Sequence, residues 1–356
     1  MKNFILIIGL AFLSVFDQRL KAQNQLYLIQ QNDRWGYADA SGKTAVNPQF
    51  DDASRFSEGL ALVRLCDRFG FIDKTGQYEI NPQFDGAESF KEDLAAVKIK
   101  KKWGFIDKNG RLVIPVQFDR AASFFEGLAR VKIGGKYGFI DRSGKYVINP
   151  QFKKAGVFSE GMVPVEISGK FGYFDKNGKL AINAQFDRAM EFSEGLACTK
   201  IEGKWGFIDK TGRYAINPQF DEAYSFRDGL ARVKSNGKWG YIDKNGTYAI
   251  HPQFQEAGLF SDGLSCVTSN GKRGYINRKG AFVIDAKYDD GRGFSEGLAR
   301  IKVSGKWGYV DKNGKLVIPP QFDKASKFSG TLARVRVDNV MAYIDKNGKI
   351  VWKAAK

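Results

Sequence analysis

The dipeptide Trp35-Gly36 recurs every 34 residues without a slip in register. Its successors are Phe69-Gly70, Trp103-Gly104, Tyr137-Gly138, Phe171-Gly172, Trp205-Gly206, Trp239-Gly240, Arg273-Gly274, Trp307-Gly308 and Met341-Ala342. So regular a repeat constrains every other reading of the fold. A unit of this size cannot bury its own hydrophobic face and must stack on its neighbours. Residues 35–340 hold nine complete units, and residues 341–356 begin a tenth that stops after its first hairpin. The prior of two or three globular domains, which a chain of 356 residues would otherwise carry, does not apply.

The unit at 205–238 shows what each position is for. Trp205 to Asp209 is aromatic and β-branched enough for a strand. Asp209-Lys-Thr-Gly212 then turns the chain, and a Gly recurs at this point from Gly42 through Gly348, as a left-handed turn position requires. The Asp before it (Asn277 in one unit) can accept the turn's own amides. A second strand is expected from Arg213 to Ile216, ended by Pro218, and Gln219 to Gly229 reads as a packed connection. Within it Phe226 and its equivalents, Phe56 through Phe328, read as core plugs, and Ala223 recurs except at Gly291. Leu230 to Lys234 forms a third strand, and Asn236-Gly237 turns it into the next unit.

Trp205 and Phe207 should face one side of the sheet and Ile208 the other, so both faces are covered, as stacked units would do. The expected fold is all-β: three-stranded antiparallel meanders stacked as an open solenoid or superhelix, with a closed propeller-like ring as the alternative. Propellers usually hold four to eight blades of four strands, which nine or ten three-stranded units fit poorly. Residues 23–34 are expected to cap the array with a leading strand near Gln25 to Ile29, and 341–356 to cap its other end.

Residues 1–22 read as a secretory signal: Lys2, an uncharged run from Phe4 to Phe16, then Leu20-Lys21-Ala22 as a cleavage site. The run is shorter than the roughly 20 residues of a spanning helix, and no other transmembrane candidate follows. The expected location is secreted, periplasmic or cell-surface. Cys66, Cys198 and Cys266 are an odd number for an exported chain, and no disulfide framework is visible. A small apolar or half-buried role is expected for all three.

Lys-Trp-Gly-Phe-Ile-Asp-Lys-Asn-Gly at 102–110, Phe-Ser-Glu-Gly-Leu-Ala at 294–299 and Pro-Gln-Phe-Asp at 320–323 closely resemble the bacterial WG repeat, also called the KWG repeat. The resemblance covers about residues 35–350 and implies interaction, not catalysis. The unit at 273–306 departs from it through Arg273, Asn277 and Asp285-Ala-Lys-Tyr288.

No catalytic constellation, cofactor fingerprint or metal-ligand set emerges. The single histidine, His251, replaces an Asn found in other units, and three scattered cysteines cannot complete a zinc site. Asp107, Asp119 and Glu126 recur serially, whereas acid–base catalysis needs one pair in unlike environments. Asp107-Lys-Asn-Gly110 lacks the remaining ligands of a calcium loop. No enzyme and no cofactor are expected.

Net charge is +17, and much of it is periodic. A basic residue precedes most Trp-Gly pairs, and another occupies the hairpin turn as Lys74, Lys108, Lys176, Lys244 and Lys312. Stacking would align these into a basic ladder able to meet a polyanion. Trp35, Trp103, Trp205, Trp239 and Trp307 are candidate ligand-binding aromatics, with core packing as the plainer role. The expected function is an exported scaffold binding a protein or glycan at the envelope. A structural spacer or a basic polyanion-binding surface is the alternative, and nucleic acid is disfavoured.

Overall fold

Each Trp-Gly segment is the third strand of an antiparallel meander. In a computed structural model, which describes residues 25–355, ten such sheets span 27–50, 52–84, 86–118, 120–152, 162–186, 188–220, 222–254, 256–288, 290–322 and 324–353, numbered here as blades 1 to 10. Blade 7 is typical, with strands Glu222–Ala223, Ala231–Ser235, Lys238–Ile242 and Tyr248–Phe254 paired in that order. Each repeat unit therefore supplies the last two strands of one blade and the first two of the next. Among the described residues blade 1 begins at its second strand, Tyr27–Gln31, and blade 5 keeps only a bridge between Ala155 and Val165 in place of its first.

Two local expectations are corrected. The segment Gln219 to Gly229 is not a mere connection: Gln219 and Phe220 extend the fourth strand of blade 6, and Glu222–Ala223 open blade 7. Nor does Pro218 end its strand, which runs Tyr214–Phe220. Between the pairs Trp205↔Phe220 and Phe207↔Ile216 this strand carries two more residues than its partner, so it bulges. The bulged residues have no ladder partner, which lets a proline sit among them.

That bulge explains the glycine of Trp-Gly. A Cβ on Gly206 would lie 2.7 Å from the Ile216 carbonyl oxygen and from the Pro218 nitrogen, both backbone atoms that cannot swing aside. Blade 10 supplies the contrast. There Ala342 replaces the glycine, its last strand Ile350–Lys353 has no bulge at this point, and Ala342 pairs directly with Lys353.

Successive blades pack face to face. One face contributes the aromatic after Trp-Gly with an Ile and a Phe of the fourth strand, as Phe207, Ile216 and Phe220. The next blade meets them with Ala231, Val233 and Ile242 and its buried plug Phe226. Ten such clusters occur, one at every interface, and the tenth joins Leu332 and Tyr343 of blade 10 to Tyr27, Ile29 and Ala38 of blade 1. Tyr27 donates to the Ser329 carbonyl at 3.1 Å, Tyr343 to the Leu28 carbonyl at 2.8 Å, and Gln25 to the Ser329 hydroxyl at 3.1 Å.

These contacts overturn the open solenoid: the protein is a closed ten-bladed β-propeller. The two-residue first strands raise the strand count to that of a propeller blade. Closure itself follows from the small rotation between successive blades, a quantity no single residue displays. The ring closes by face packing and these side-chain hydrogen bonds, since among the described residues the two end sheets share no strand.

Substituting Gly206→Ala should destabilise the protein by about 2–3 kcal/mol through the forced backbone clash. Ala342→Gly, where no bulge presses in, should cost about 0.5–1 kcal/mol. Parallel urea and thermal melts of the two variants check this, and equal effects would contradict the role given to the bulge.

Candidate functional site

An antiparallel meander sends its turns to two opposite ends. First-to-second and third-to-fourth strand turns share one end of the ring, and second-to-third turns share the other. The recurrent charged residues divide between these ends.

At the first end the turn chemistry is self-contained. Asp209 accepts the amides of Thr211 and Arg213 at 2.8 and 3.2 Å, and Asp107 does the same for Asn109 and Arg111 at 2.9 Å. The Glu-Gly of the first hairpin takes left-handed backbone at both positions, φ 53° at Glu126 and 83° at Gly127. Its side chain reaches the next blade: Glu126 accepts the amides of Glu160 and Gly161 at 2.7 and 2.9 Å, and Glu58 those of Glu92 and Asp93. A belt of carboxylates thus links blade to blade.

The expected basic ladder lies against this belt. Lys108 sits 2.8 Å from Asp93 and 3.4 Å from Glu58, Lys176 lies 3.1 Å from Glu126, and Lys244 lies 3.2 Å from Glu194. Lys312 is exposed, and Lys74 is exposed at the edge of the seam between blades 10 and 1. At Lys108, Lys176 and Lys244 the ladder is an alternation of charges, not a bare positive edge. Partial burial pushes the Glu126 carboxyl up, but Lys176 and the two amides outweigh it and hold the group below its ordinary value. Glu194 is held down in the same way by the Gly229 amide and Lys244, against its own burial.

At the second end stand the Trp-Gly segments. The base before each pair binds the Asp of Pro-Gln-Phe-Asp: Lys102 to Asp119 at 2.6 Å and Lys204 to Asp221 at 2.6 Å. Asp119 also accepts the Gly134 amide at 2.8 Å, so the carboxylate joins Lys102 of blade 3 to the middle turn of blade 4. Trp35, Trp103, Trp205 and Trp307 are half-buried, and Trp239 is 9% exposed. Cations of the neighbouring strand lie over three of these rings. Lys200 lies 5.9 Å from the Trp205 centroid, Arg232 and Lys234 5.6 Å from that of Trp239, and Arg300 5.6 Å from that of Trp307.

Three blades carry a feature that a linear reading of the sequence passes over. Arg120 pairs in register with Lys132, Arg188 with Lys200, and Lys324 with Arg336. Like charges directly opposite each other are unfavourable in a sheet. Among the described residues none of these six side chains has a carboxylate partner. The signal was present in the sequence, but strand register is needed to bring positions twelve residues apart side by side.

The divergent unit is absorbed into structure. Arg273, in the tryptophan's place, pairs with Glu256 and lies 3.7 Å from Asp290, over a shallow cavity of about 490 Å³. Cys198 and Cys266 are buried in interblade cores, and burial raises both thiols, Cys266 to about 11. Cys66 corrects the expectation of a half-buried role: it is exposed, at a turn residue with φ 48°, and all three cysteines are free. His251 is exposed beside Tyr248, and no metal-competent cluster occurs among the described residues. The signal expected at residues 1–22 lies outside the described residues. No described helix is long and apolar enough to cross a membrane.

The WG-containing-repeat family model matches nine times in succession, at residues 35–65, 69–103, 103–137, 137–171, 171–205, 205–239, 239–272, 274–307 and 307–340. The chain belongs to the WG-repeat family. No curated protein matches it. Among solved structures this WG-repeat protein is similar to one described as a crystal structure of the eukaryotic initiation factor. Identity there is 12% and the TM-score 0.53, over 92% of this chain and 95% of that one. At that identity the likeness is one of fold alone. Looser similarity extends to Kluyveromyces lactis Hsv2p, at 10% identity over 62% and 89% of the two chains with a TM-score of 0.36. PorZ, a bacterial surface component of the type-IX secretion system of Porphyromonas gingivalis, is 10% identical over 86% of this chain and 52% of its own, with a TM-score of 0.29.

The carboxylate belt gives the WG-repeat ring a pH dependence of definite sign. Carboxyls held below their ordinary pKa contribute stability above the ordinary range, and that stability is lost as pH falls through the depressed values. Glu126→Gln should therefore lower the melting temperature near neutral pH, and the difference from the parent should close as the pH falls through the depressed carboxyl range. A gap that stays constant over a series of melts across that range would contradict the assignment.

Proposed function

We propose that the protein is a non-catalytic binding scaffold, exported to the cell envelope, whose Trp-Gly end docks an acidic partner surface. The observation that carries this reading is the set of three cross-strand cation pairs, Arg120 with Lys132, Arg188 with Lys200 and Lys324 with Arg336. An arrangement that is unfavourable in the free protein becomes favourable once an anionic surface neutralises it. The fold suits such a role, since a closed propeller is an interaction scaffold that presents ten near-equivalent edges on a rigid ring. Serial carboxylates argue against catalysis, because Asp107, Asp119 and Glu126 are each occupied by turn amides or a lysine. Export rests on the character of residues 1–22.

An acidic polysaccharide is the second reading, favoured by half-buried aromatic rings beside the same cations. A spacer without a ligand has no comparable use for the cation pairs.

Binding to a panel of acidic proteins and acidic polysaccharides, read by surface resonance at two salt concentrations, tests the proposal. The double variant Arg120→Glu/Arg188→Glu should weaken binding about tenfold or more and flatten its salt dependence. Unchanged binding by a variant that melts like the parent would sink the reading.

A further inference from the structure

One position of the repeat ties neighbouring blades together at the Trp-Gly end, and at one interface its charge is reversed. The residue that follows the fourth strand is Asp51, Asp85, Asp119, Asp187, Asp221, Asp289 and Asp323 at seven of its nine occurrences. All seven carboxylates pair with the base that precedes the Trp position. The two oxygens have separate partners. Asp119 Oδ1 meets Lys102 while Oδ2 accepts the Gly134 amide, and Asp187 and Asp289 bridge Lys170 to Glu202 and Lys272 to Ser304 in the same way. A base and a turn amide are thus arranged around an oxyanion at each of these interfaces.

Two interfaces depart from the rule. Between blades 7 and 8 the residue is Gln255, which keeps the amide contact by accepting from Gly271 at 2.7 Å. Between blades 4 and 5 it is Lys153, a side chain that can only donate. The base Lys136 and the turn Ser168-Gly169 are retained there, and among the described residues neither the Lys136 ammonium nor the Ser168 amide has an acceptor. The turn has left-handed backbone at both positions, φ 51° and 85°, a form that gathers successive amides into an anion-binding concavity.

The backbone changes at the same point. Eight of the nine equivalents donate their own amide to the second strand of the next blade, as Asp119 does to the Lys132 carbonyl at 2.8 Å, and Lys153 does not. A cavity of about 520 Å³ lies here, with Lys136, Lys153, Ser168 and Gly169 in its wall. The one acid of the lining, Glu166, is already engaged by Lys154 at 2.6 Å.

We propose that this cavity binds a phosphate group. Two of its oxygens take the places that a carboxylate's oxygens hold at the seven other interfaces, on Lys136 and the Ser168 amide. The further oxygens and the second negative charge answer Lys153, a cation that none of those interfaces has at this position. Free phosphate and a terminal phosphate monoester present the same chemistry. The site is separate from the cation pairs of Arg120 and Arg188 and takes a different ligand, so either reading can fail without the other.

Inorganic phosphate is titrated into the full chain in a chloride buffer of low ionic strength and followed by isothermal titration calorimetry. Saturable one-to-one binding is expected. Lys136→Gln should weaken it about tenfold. Lys153→Asp, which restores the residue of the other interfaces, should abolish binding while melting no lower than the parent. Lys102→Gln, at an interface where Asp119 already supplies the oxyanion, should leave it unchanged. Glycerol phosphate forms the second arm: binding equal to that of phosphate assigns the site to a monoester on a larger ligand, and refusal assigns it to the free ion. No saturable binding of phosphate, or binding that survives Lys153→Asp, would overturn the proposal.

Discussion

The structure depends on one contact made ten times: the aromatic, Ile and Phe face of one blade against the Ala, Val and Ile face of the next. No blade has a core of its own, since the sheets are too small to bury one. Every hydrophobic cluster is shared between two blades, as Phe105, Ile114 and Phe118 of blade 3 are shared with Ala129, Val131 and Ile140 of blade 4. Stability is therefore a property of neighbours. A chain organised this way must either cap its two ends or bring them together, and here Tyr27 and Ile29 take the place that Ala and Val hold at other interfaces.

The remaining regularities serve that contact. The bulge opposite Gly206 re-aims the fourth strand so that Ile216 and Phe220 both reach the neighbouring blade, and the close approach excludes any side chain at the glycine. Carboxylates of the first hairpin span to the next blade at one end of the ring. At the other end, the Asp of Pro-Gln-Phe-Asp ties the base before Trp-Gly to the middle turn of the next blade, as Asp119 ties Lys102 to Gly134. Most charges are thus spent on turns and neighbours. That gives the opposed cations of blades 4, 6 and 10 their meaning: they are the positions where the repeat's own pairing rules are not obeyed.

Much of this was legible in the sequence, and the limit is physical. The period, the Asp-turn-Gly hairpin and the buried plug at Phe226 follow from residues that each answer a local requirement. The alternation of Phe207 and Ile208 between two covered faces is equally local. Two things were not local. The first strand of most blades is only two residues long, as in Glu222–Ala223, and is held by the second strand, so nothing in its composition marks it as a strand. Closure depends on the sum of ten small rotations, which emerges only when Tyr343 is found beside Tyr27. The candidate site shows the same boundary. Lys108 and Lys176 were visible as periodic cations, but the glutamates they meet, Glu58 and Glu126, lie 50 residues upstream and in another blade. The opposed pair Arg120 and Lys132 needs the strand register before it can be seen.

The central claim is that the ten blades close on themselves by face packing between blades 10 and 1. Spin labels on Ser41→Cys and Lys353→Cys, in a Cys66→Ser background that removes the one exposed native thiol, test it most directly by dipolar distance measurement. Gly42 packs against the Val351 backbone in the closed ring, so the labels should lie about one intersheet spacing apart, about 10 Å plus their linkers. In an open stack of ten sheets they would be separated by nine spacings, roughly 90 Å, and that result would contradict the account.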